Sequence, residues 1–213
     1  MKILNLYACL GGNRYKWNEV KEDIEVTAVE LDPELARLYQ ERFPNDNVIV
    51  TDAHQYLIEN FQDYDFIWSS PPCPTHSKAR FARRSTTEPK YPDLKLYEEI
   101  ILLEKWFNGV YVVENVVPYY QTLIPGKKRG RHIYWTNFNL PNVLSRRKGN
   151  FMEGKDEVSK WCDFHDYDFN KYKGEQRRDK IARNLVDYQA GKTIFSTALG
   201  IESNDKTEQV KLF

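Results

Sequence analysis

Short apolar runs alternate with amphipathic stretches up to about residue 140 of the chain. This pattern predicts strands at residues 2–8, 24–30, 47–51, 64–68, 110–113 and 132–137. A helix is predicted after Asp32, which suits an N-cap, and Pro33, which suits the first helical position. A second helix is predicted at 93–107, where Leu96 and Leu103 lie on one apolar face. Strands that alternate with helices predict an α/β fold with a mostly parallel sheet flanked by helices.

The alternation stops at residues 141–180, which are polar, aromatic and basic and have no sustained periodicity. We interpret this stretch as a short inserted recognition or lid segment. A helical pattern returns at 181–199, and residues 201–213 are predicted to be a tail. The expected organisation is therefore one α/β domain, made of 1–140 and 181–200, that carries a short insertion.

Composition narrows the class of protein only slightly. The 213 residues suit one α/β domain, and their net charge is zero, so the overall charge does not indicate a nucleic-acid partner. Apolar runs are too short to span a membrane. Cys9, Cys73 and Cys162 are far apart and odd in number, which argues against a disulfide framework and favours a reducing, cytoplasmic location. Their spacing gives no metal-binding pattern.

Polar or glycine positions follow five predicted strands: the Gly11-Gly12 turn, Glu30, Asp52, Cys73 and Glu114. The carboxyl ends of parallel strands converge on one crevice. A glycine turn lets a ligand approach the backbone, an acid after the second strand suits ribose hydroxyls, and one after the third can accept from an adenine amino group. Taken singly, each acid is better explained as a solvated carboxylate or a helix cap. Their order along the chain favours a shared site.

The Pro71-Pro72-Cys73 turn is the strongest chemical signal. Each proline fixes its own φ and restricts the residue before it, so the turn is stiff. A stiff turn at a strand end is a suitable mount for a nucleophilic thiolate. The alternative is a small buried cysteine in a proline-rich turn.

Basic residues form three clusters that we interpret as candidate phosphate contacts. The clusters are Lys78, Arg80, Arg83 and Arg84; Lys127, Lys128, Arg129 and Arg131; and Arg146, Arg147 and Lys148.

These motifs, taken together, resemble those of the cytosine-C5 DNA methyltransferases, over most of the chain apart from 141–180 and the tail. Leu4–Gly12 looks like the first motif of that family, Pro71-Pro72-Cys73 like its catalytic motif with Ser77 downstream, and Glu114-Asn115 like its Glu-Asn-Val motif. Arg129-Gly130-Arg131 looks like the Arg-x-Arg motif, and Arg183–Val186 like the last motif. The order and spacing of these motifs make the similarity specific.

The resemblance implies a Rossmann-like fold that binds S-adenosylmethionine. It implies cofactor contacts from Tyr7, Ala8, Gly11, Gly12, Glu30, Leu31, Asp52, Ala53, Pro71, Asn184 and Val186. It implies catalytic roles for Cys73, Glu114, Arg131 and Arg129, and nucleic-acid contacts from Ser77, Lys78, Arg80, Arg83, Arg84, Arg146, Arg147 and Lys148. The sulfonium carries the methyl group, so a metal is not expected.

The implied reaction is methylation of cytosine C5 in DNA. The Cys73 thiolate, which we expect Arg131 to activate, adds to C6 of a flipped-out base while Glu114 acts at N3. Two alternatives remain open: an RNA (tRNA) cytosine-C5 methyltransferase and a non-catalytic nucleic-acid-binding relative.

Several positions depart from the family pattern. Cys9 stands where glycine is usual, which would strain the turn if φ is positive there. Pro74 and His76 replace the usual glutamine and phenylalanine. The short insertion suggests a compact, phage-type member that acts in a bacterial or phage-infected cell.

Overall fold

Seven β-strands in the described residues form one mixed sheet. The computed structural model describes residues 1–83, 85–86, 88, 91–147 and 157–201, and the side chain of Arg80 lies outside the description. The strands are β1 (Lys2–Leu6), β2 (Glu25–Glu30), β3 (Asn47–Val50), β4 (Phe66–Ser69), β5 (Val110–Val116), β6 (Lys127–Arg129) and β7 (His132–Thr136). Six of them were predicted, with ends that differ by at most three residues. The sequence pattern did not predict β6, whose three residues are all basic.

The strand order is β3-β2-β1-β4-β5-β7-β6. Strands β1 to β5 are parallel, whereas β7 runs antiparallel to β5 and β6 antiparallel to β7. The predicted mostly parallel sheet is therefore confirmed. The chain order reverses between β1 and β4, and ligands bind parallel sheets at such a reversal. This places the turn after β1 beside the Pro71–Cys73 loop after β4.

Helices cover both faces of the sheet. They are α1 (Pro33–Arg42), α2 (Ala53–Asn60), α3 (Lys78–Ala82), α4 (Lys95–Trp106), α5 (Glu157–His165), α6 (Arg178–Asn184) and α7 (Tyr188–Ala198). Asp32 caps α1 as predicted, because its carboxylate accepts from the amides of Glu34 and Leu35. The single helix expected at 181–199 is two helices, and Asp187 caps the second of them. None of the helices in the described ranges is long and apolar enough to cross a membrane.

Strand alternation builds a core on each side of the sheet. Leu4 and Leu6 of β1 point to one side and join the cluster formed with α2 and α4. Ile3 points to the other side, where Trp17 and Phe195 of α7 pack against it. Since both faces are covered, the free edge for a ligand is the one at the carboxyl ends of the strands.

The described part of the predicted insertion packs against α1 and the glycine turn. Its buried residues Trp161, Phe169 and Tyr172 join Leu10 and Leu35 in a third apolar cluster. The segment thus contributes to the core, which its polar composition did not predict. Residues 148–156, like the predicted tail from 202 onward, lie outside the described residues.

Candidate active site

The carboxyl ends of the parallel strands open into one cavity of about 1460 Å³. This volume exceeds that of a typical single-ligand pocket. Among the predicted site residues, those that line it are Tyr7, Ala8, Gly12, Glu30, Leu31, Asp52, Ala53, Pro71, Cys73, Ser77, Lys78, Arg83, Glu114, Arg131, Asn184 and Val186. Residues predicted separately for cofactor, catalysis and nucleic acid therefore share one space.

The turn after β1 has three left-handed residues. Tyr7, Cys9 and Gly11 have φ of 55°, 49° and 66°. The strain condition stated for Cys9 is therefore met, because a non-glycine residue occupies the left-handed region there. A Cβ on Gly12 would lie 2.3 Å from the carbonyl oxygen of Val186, so glycine lets the segment before α7 approach the turn.

Gly11 requires a correction. A Cβ at this position would meet the rings of Phe43 at 2.4 Å and Tyr39 at 2.7 Å, so the residue faces the core behind the turn. Gly11 does not line the cavity, and its amide donates to the Ala8 carbonyl at 2.8 Å, so the structure does not place it as the predicted cofactor contact. Its glycine is required by the positive φ and by the close packing of the two rings.

Glu30 is fixed at the end of β2 by backbone donors. The amide of Cys9 donates to its Oε2 at 2.8 Å, and the amide of Asp32 donates to its Oε1 at 2.9 Å. Burial raises the pKa of Glu30, and the backbone hydrogen bonds oppose this shift. Beside it, Leu31 is 66% exposed and also lines the cavity.

Asp52 both caps α2 and lines the cavity. Its Oδ1 accepts from the amide of Gln55 at 2.9 Å and caps α2. Ala53 follows as the first buried residue of that helix. The helix-cap alternative for Asp52 is therefore correct, and it leaves Oδ2 available to a ligand.

Hydrogen bonds hold the Pro71–Cys73 loop beside β5. The side-chain amide of Asn115 donates to the Pro71 carbonyl at 3.0 Å. The amides of His76 and Ser77 both donate to the Cys73 carbonyl at 3.0 Å. The half-buried thiol of Cys73 is thus carried by a loop fixed on both sides.

Glu114 is buried at the same end of β5. The Ser70 hydroxyl donates to its Oε2 at 3.3 Å, and that hydroxyl accepts from Trp68 Nε1 at 2.9 Å. His132 Nδ1 lies 3.7 Å from the other carboxylate oxygen. Burial lowers the pKa of His132, so the imidazole is neutral near pH 7.

The electrostatics of Cys73 differ from our expectation that cations would activate it. Burial, reinforced by the Glu114 carboxylate, raises the pKa of the Cys73 thiol. Lys180 and Arg131 act in the opposite direction but do not outweigh burial. The guanidinium of Arg131 donates to the Arg183 carbonyl at 3.1 Å, which fixes it at the cavity wall.

The family model of the C-5 cytosine-specific DNA methylases matches residues 1–118, more than half of the 213-residue chain. The chain belongs to this family. The matched region contains the glycine turn, the Pro71–Cys73 loop and Glu114, whereas α5 to α7 lie outside it.

Three solved structures are similar to part of this family member. A DNMT2 mutant of Spodoptera frugiperda is 29% identical, covers 54% of this chain and 35% of its own, and has a TM-score of 0.38. The Dnmt2 methyltransferase of S. pombe is 19% identical, with 55% and 36% covered and a TM-score of 0.40. A putative DNA modification methyltransferase encoded within an E. coli prophage is 19% identical, with 57% and 33% covered and a TM-score of 0.39.

The matched part of the chain spans about a third of the length of each of these proteins. Family membership rests on the sequence match, not on these partial structural similarities. A comparison with curated protein sequences gives no match.

S-adenosylmethionine is the methyl donor that membership of this family implies. The residues present fit it. Glu30 offers carboxylate oxygens for hydroxyl groups, the exposed side chain of Leu31 offers an apolar surface for a purine, and Asp52 offers an acceptor for an amino group. Together they offer groups that could contact the ribose, the purine face and the amino group of an adenosine.

Two arginines that were predicted to act in the site, Arg129 and Arg147, bind other parts of the protein. Arg129 donates to the carbonyls of Leu140 at 2.8 Å and Pro141 at 2.6 Å, so its guanidinium is directed away from the cavity. We therefore correct the catalytic role expected for Arg129. The guanidinium of Arg129 instead anchors the chain that follows β7.

Arg147 is likewise corrected as a nucleic-acid contact. Its guanidinium lies 4.0 Å from the Phe164 ring centroid and 3.9 Å from that of Tyr188, and it pairs with Asp187 at 2.8 Å. Arg146 is exposed and does not line the cavity. Arg84, Lys148 and the side chain of Arg80 lie outside the described residues.

Sequence reasoning missed the buried carboxylate of Glu99 on α4. It is fully buried and receives hydrogen bonds from Tyr7, Ser69 and His54. A signal was present, because Glu99 lies between Leu96 and Leu103 on the apolar face of the predicted helix. An acid on such a face needs buried partners.

Proposed function

We propose that the protein transfers a methyl group from S-adenosylmethionine to C5 of cytosine in DNA. One observation carries the proposal: the Cys73 thiol and the Glu114 carboxylate line the same cavity as Glu30 and Leu31. A nucleophile, an acid and a site for the donor are thus available to one substrate. The donor supplies an electrophilic methyl group when bound.

Cys73 is the proposed nucleophile. Its thiolate adds to C6 of cytosine, which gives C5 the electron density to take the methyl group from the sulfonium. The C5 proton is then lost to a base, and the electron pair that it leaves expels Cys73 as thiolate. Because burial raises the pKa of this thiol, only a minor fraction is thiolate near neutral pH, and the thiol proton is released to solvent before the addition.

Glu114 is the proposed partner of the base at N3. Addition at C6 places negative charge on the ring, and a carboxylic acid or hydrogen bond at N3 stabilises it. The hydrogen bond from Ser70 fixes the carboxylate on one side, and His132 on the other side is neutral near pH 7. Ser70 and His132 are therefore positioning residues in this scheme.

The cavity mouth supports a nucleic-acid substrate. Lys78 and Arg83 line it beside Ser77, at the start of the chain that follows the Cys73 loop. Cations at this edge suit the phosphates on either side of a base that has left the stack. A cytosine in a duplex must leave the base stack before its C6 can reach the thiol.

Methyl transfer from labelled S-adenosylmethionine tests the proposal. Duplex DNA and tRNA are offered in parallel to the unaltered protein, to Cys73→Ser and to Cys162→Ser, which removes a thiol on α5 outside the cavity. Label in DNA cytosines that is lost in Cys73→Ser and kept in Cys162→Ser supports the proposal. Label in tRNA alone, or equal label with Cys73→Ser, contradicts it.

Trapping tests the covalent step separately. DNA with fluorine at cytosine C5 has no proton to lose there, so Cys73 remains bound to C6. Mass spectrometry should then find one DNA adduct, on the peptide that contains Cys73. An adduct on another residue, or none with an active protein, contradicts the covalent mechanism.

A further inference from the structure

The chain beyond the family-matched region returns to the donor end of the cavity. Residues 172–176, here called the strap, connect the segment after α5 to α6. Within the strap, Gly174, Glu175 and Gln176 line the cavity, as do Glu30 and Leu31. These three residues lie beyond the matched region, which ends at residue 118.

Two side chains of the strap bind the same oxygen of Asp32. The Tyr172 hydroxyl donates to Asp32 Oδ2 at 2.8 Å, and Gln176 Nε2 donates to that oxygen at 2.8 Å. The amide of Gln176 also donates to the Tyr172 hydroxyl at 3.2 Å. The two ends of the strap are therefore joined to each other and to the N-terminus of α1.

Asp32 connects the strap to the acid expected to bind ribose. Its Oδ1 accepts from the amides of Glu34 and Leu35, and its own amide donates to Glu30 Oε1 at 2.9 Å. Burial opposes ionisation of Asp32, but hydrogen bonds from Gln176, Tyr172 and the helix amides outweigh it and lower its pKa. Asp32 is thus a charged acceptor at neutral pH.

The two residues differ in burial. Tyr172 is 1% exposed and packs in the cluster with Leu35 and Phe169, so the first end of the strap is fixed in the core. Gln176 is exposed, and its hydrogen bond to Asp32 holds the second end. A Cβ on Gly174 would lie 2.2 Å from the Tyr172 hydroxyl oxygen, so the strap passes close over this ring.

We propose that Tyr172 and Gln176 are positioning residues for the methyl donor, because they hold the strap on Asp32 as the outer wall of the adenosine subsite. This inference rests on the proposed function and names what the predicted insertion does in it. Residues 172–176 serve the donor in this scheme, whereas the sequence pattern predicted a recognition or lid role for the whole segment 141–180.

Calorimetric titration with S-adenosylhomocysteine tests the inference without turnover. The proteins are the unaltered chain, Tyr172→Phe, Gln176→Ala and the double variant. Tyr56→Phe is the matched control, since it removes a tyrosine hydroxyl that pairs with Tyr64 at 2.9 Å outside the cavity. Loss of one hydrogen bond to a charged acceptor should weaken binding roughly tenfold, and the double variant more.

A second titration, with labelled duplex DNA, separates the donor from nucleic acid. The DNA dissociation constant should change less than about twofold in every variant, since the strap is bound to Asp32, away from Lys78 and Arg83 at the cavity mouth. Urea denaturation checks that the variants are folded. Gln176→Ala changes an exposed side chain, so it decides the question if Tyr172→Phe does not fold.

Two results would overturn the inference but leave the proposed function in place. One is an unchanged dissociation constant for S-adenosylhomocysteine in the double variant, and the other is weakened DNA binding with S-adenosylhomocysteine binding intact. Failure of the unaltered protein to bind S-adenosylhomocysteine would overturn the proposed function and the inference with it.

Discussion

The Tyr7 hydroxyl donates a hydrogen bond of 2.6 Å to the carboxylate of Glu99, which is fully buried on α4. Ser69 donates to the other carboxylate oxygen at 2.5 Å, and His54 Nδ1 lies 3.1 Å from the oxygen that Tyr7 binds. Tyr7 belongs to the turn after β1, and Ser69 ends β4 just before the Cys73 loop. One buried carboxyl group therefore connects the donor side of the cavity to the side that carries the thiol.

We expect Glu99→Gln to lower the free energy of unfolding by about 2–4 kcal/mol, because an amide cannot accept from all three donors. Tyr7→Phe removes one of these bonds and should cost about 1–2 kcal/mol. Urea denaturation near neutral pH measures both. Glu104→Gln is the control on the same helix, since Glu104 is exposed and pairs with the neighbouring Lys105 at 2.9 Å. Equal losses for Glu99→Gln and Glu104→Gln would contradict the assigned role.

His54 should make stability depend on pH through the same carboxylate. The hydrogen bond to Glu99 raises the pKa of His54 against the effect of burial. A raised histidine pKa favours folding of the protonated form. Its contribution is therefore complete below the unfolded value of about 6.5 and is lost as pH rises through the folded pKa. The stability difference between the unaltered protein and His54→Gln should be largest in acid and smallest in alkali.

His165 provides a control of opposite sign. Burial lowers its pKa to about 4. Folding then disfavours protonation, so the contribution of His165 is present above the unfolded value and lost as pH falls. The difference between the unaltered protein and His165→Gln should shrink in acid, whereas that for His54→Gln grows. Parallel pH trends for the two variants would contradict both assignments.

The sequence predicted the strands and turns that carry the site residues better than the contacts that those residues make. Strand ends follow from short apolar runs, and Asp32 and Pro33 mark the start of α1 by local chemistry alone. Local signals of this kind do not depend on the rest of the fold. They brought Cys73 and Glu114 to one edge of the sheet, where both line the cavity.

Contacts set by tertiary packing were not predictable in this way. Whether Gly11 faces a ligand or the core depends on the φ of the turn and on Tyr39 and Phe43. The sequence around Arg147 predicts a phosphate contact. In the fold, however, Phe164 and Tyr188, which are distant in sequence, pack against its guanidinium. Long-range contacts of this kind have no local pattern in the chain.

Alkylation of Cys73 should become faster with rising pH into the alkaline range. Only the thiolate reacts, and burial holds the pKa of this thiol above its ordinary value. Lys180 opposes that shift from the cavity wall. We expect Lys180→Met to slow alkylation at a fixed pH by roughly twofold to fivefold, and by less in high salt.

Mass spectrometry of the Cys73 peptide after timed exposure to iodoacetamide measures this rate. Lys160→Met removes an exposed lysine on α5 outside the cavity and should leave the rate unchanged. An unchanged rate in Lys180→Met would show that its charge does not reach the thiol. Faster alkylation in that variant would reverse the sign of the assignment.

The cavity mouth should govern the salt dependence of DNA binding. Each phosphate neutralised by a protein cation adds about one to the slope of log affinity against log salt. Replacing Lys78 and Arg83 with glutamine should therefore reduce that slope by about two. Fluorescence anisotropy with labelled duplex at several salt concentrations measures it. The matched control neutralises Lys2 and Lys105, at the start of β1 and the end of α4 and thus at the opposite edge of the sheet. If the control pair lowered the slope as much as Lys78 and Arg83, DNA would not be bound at the cavity mouth.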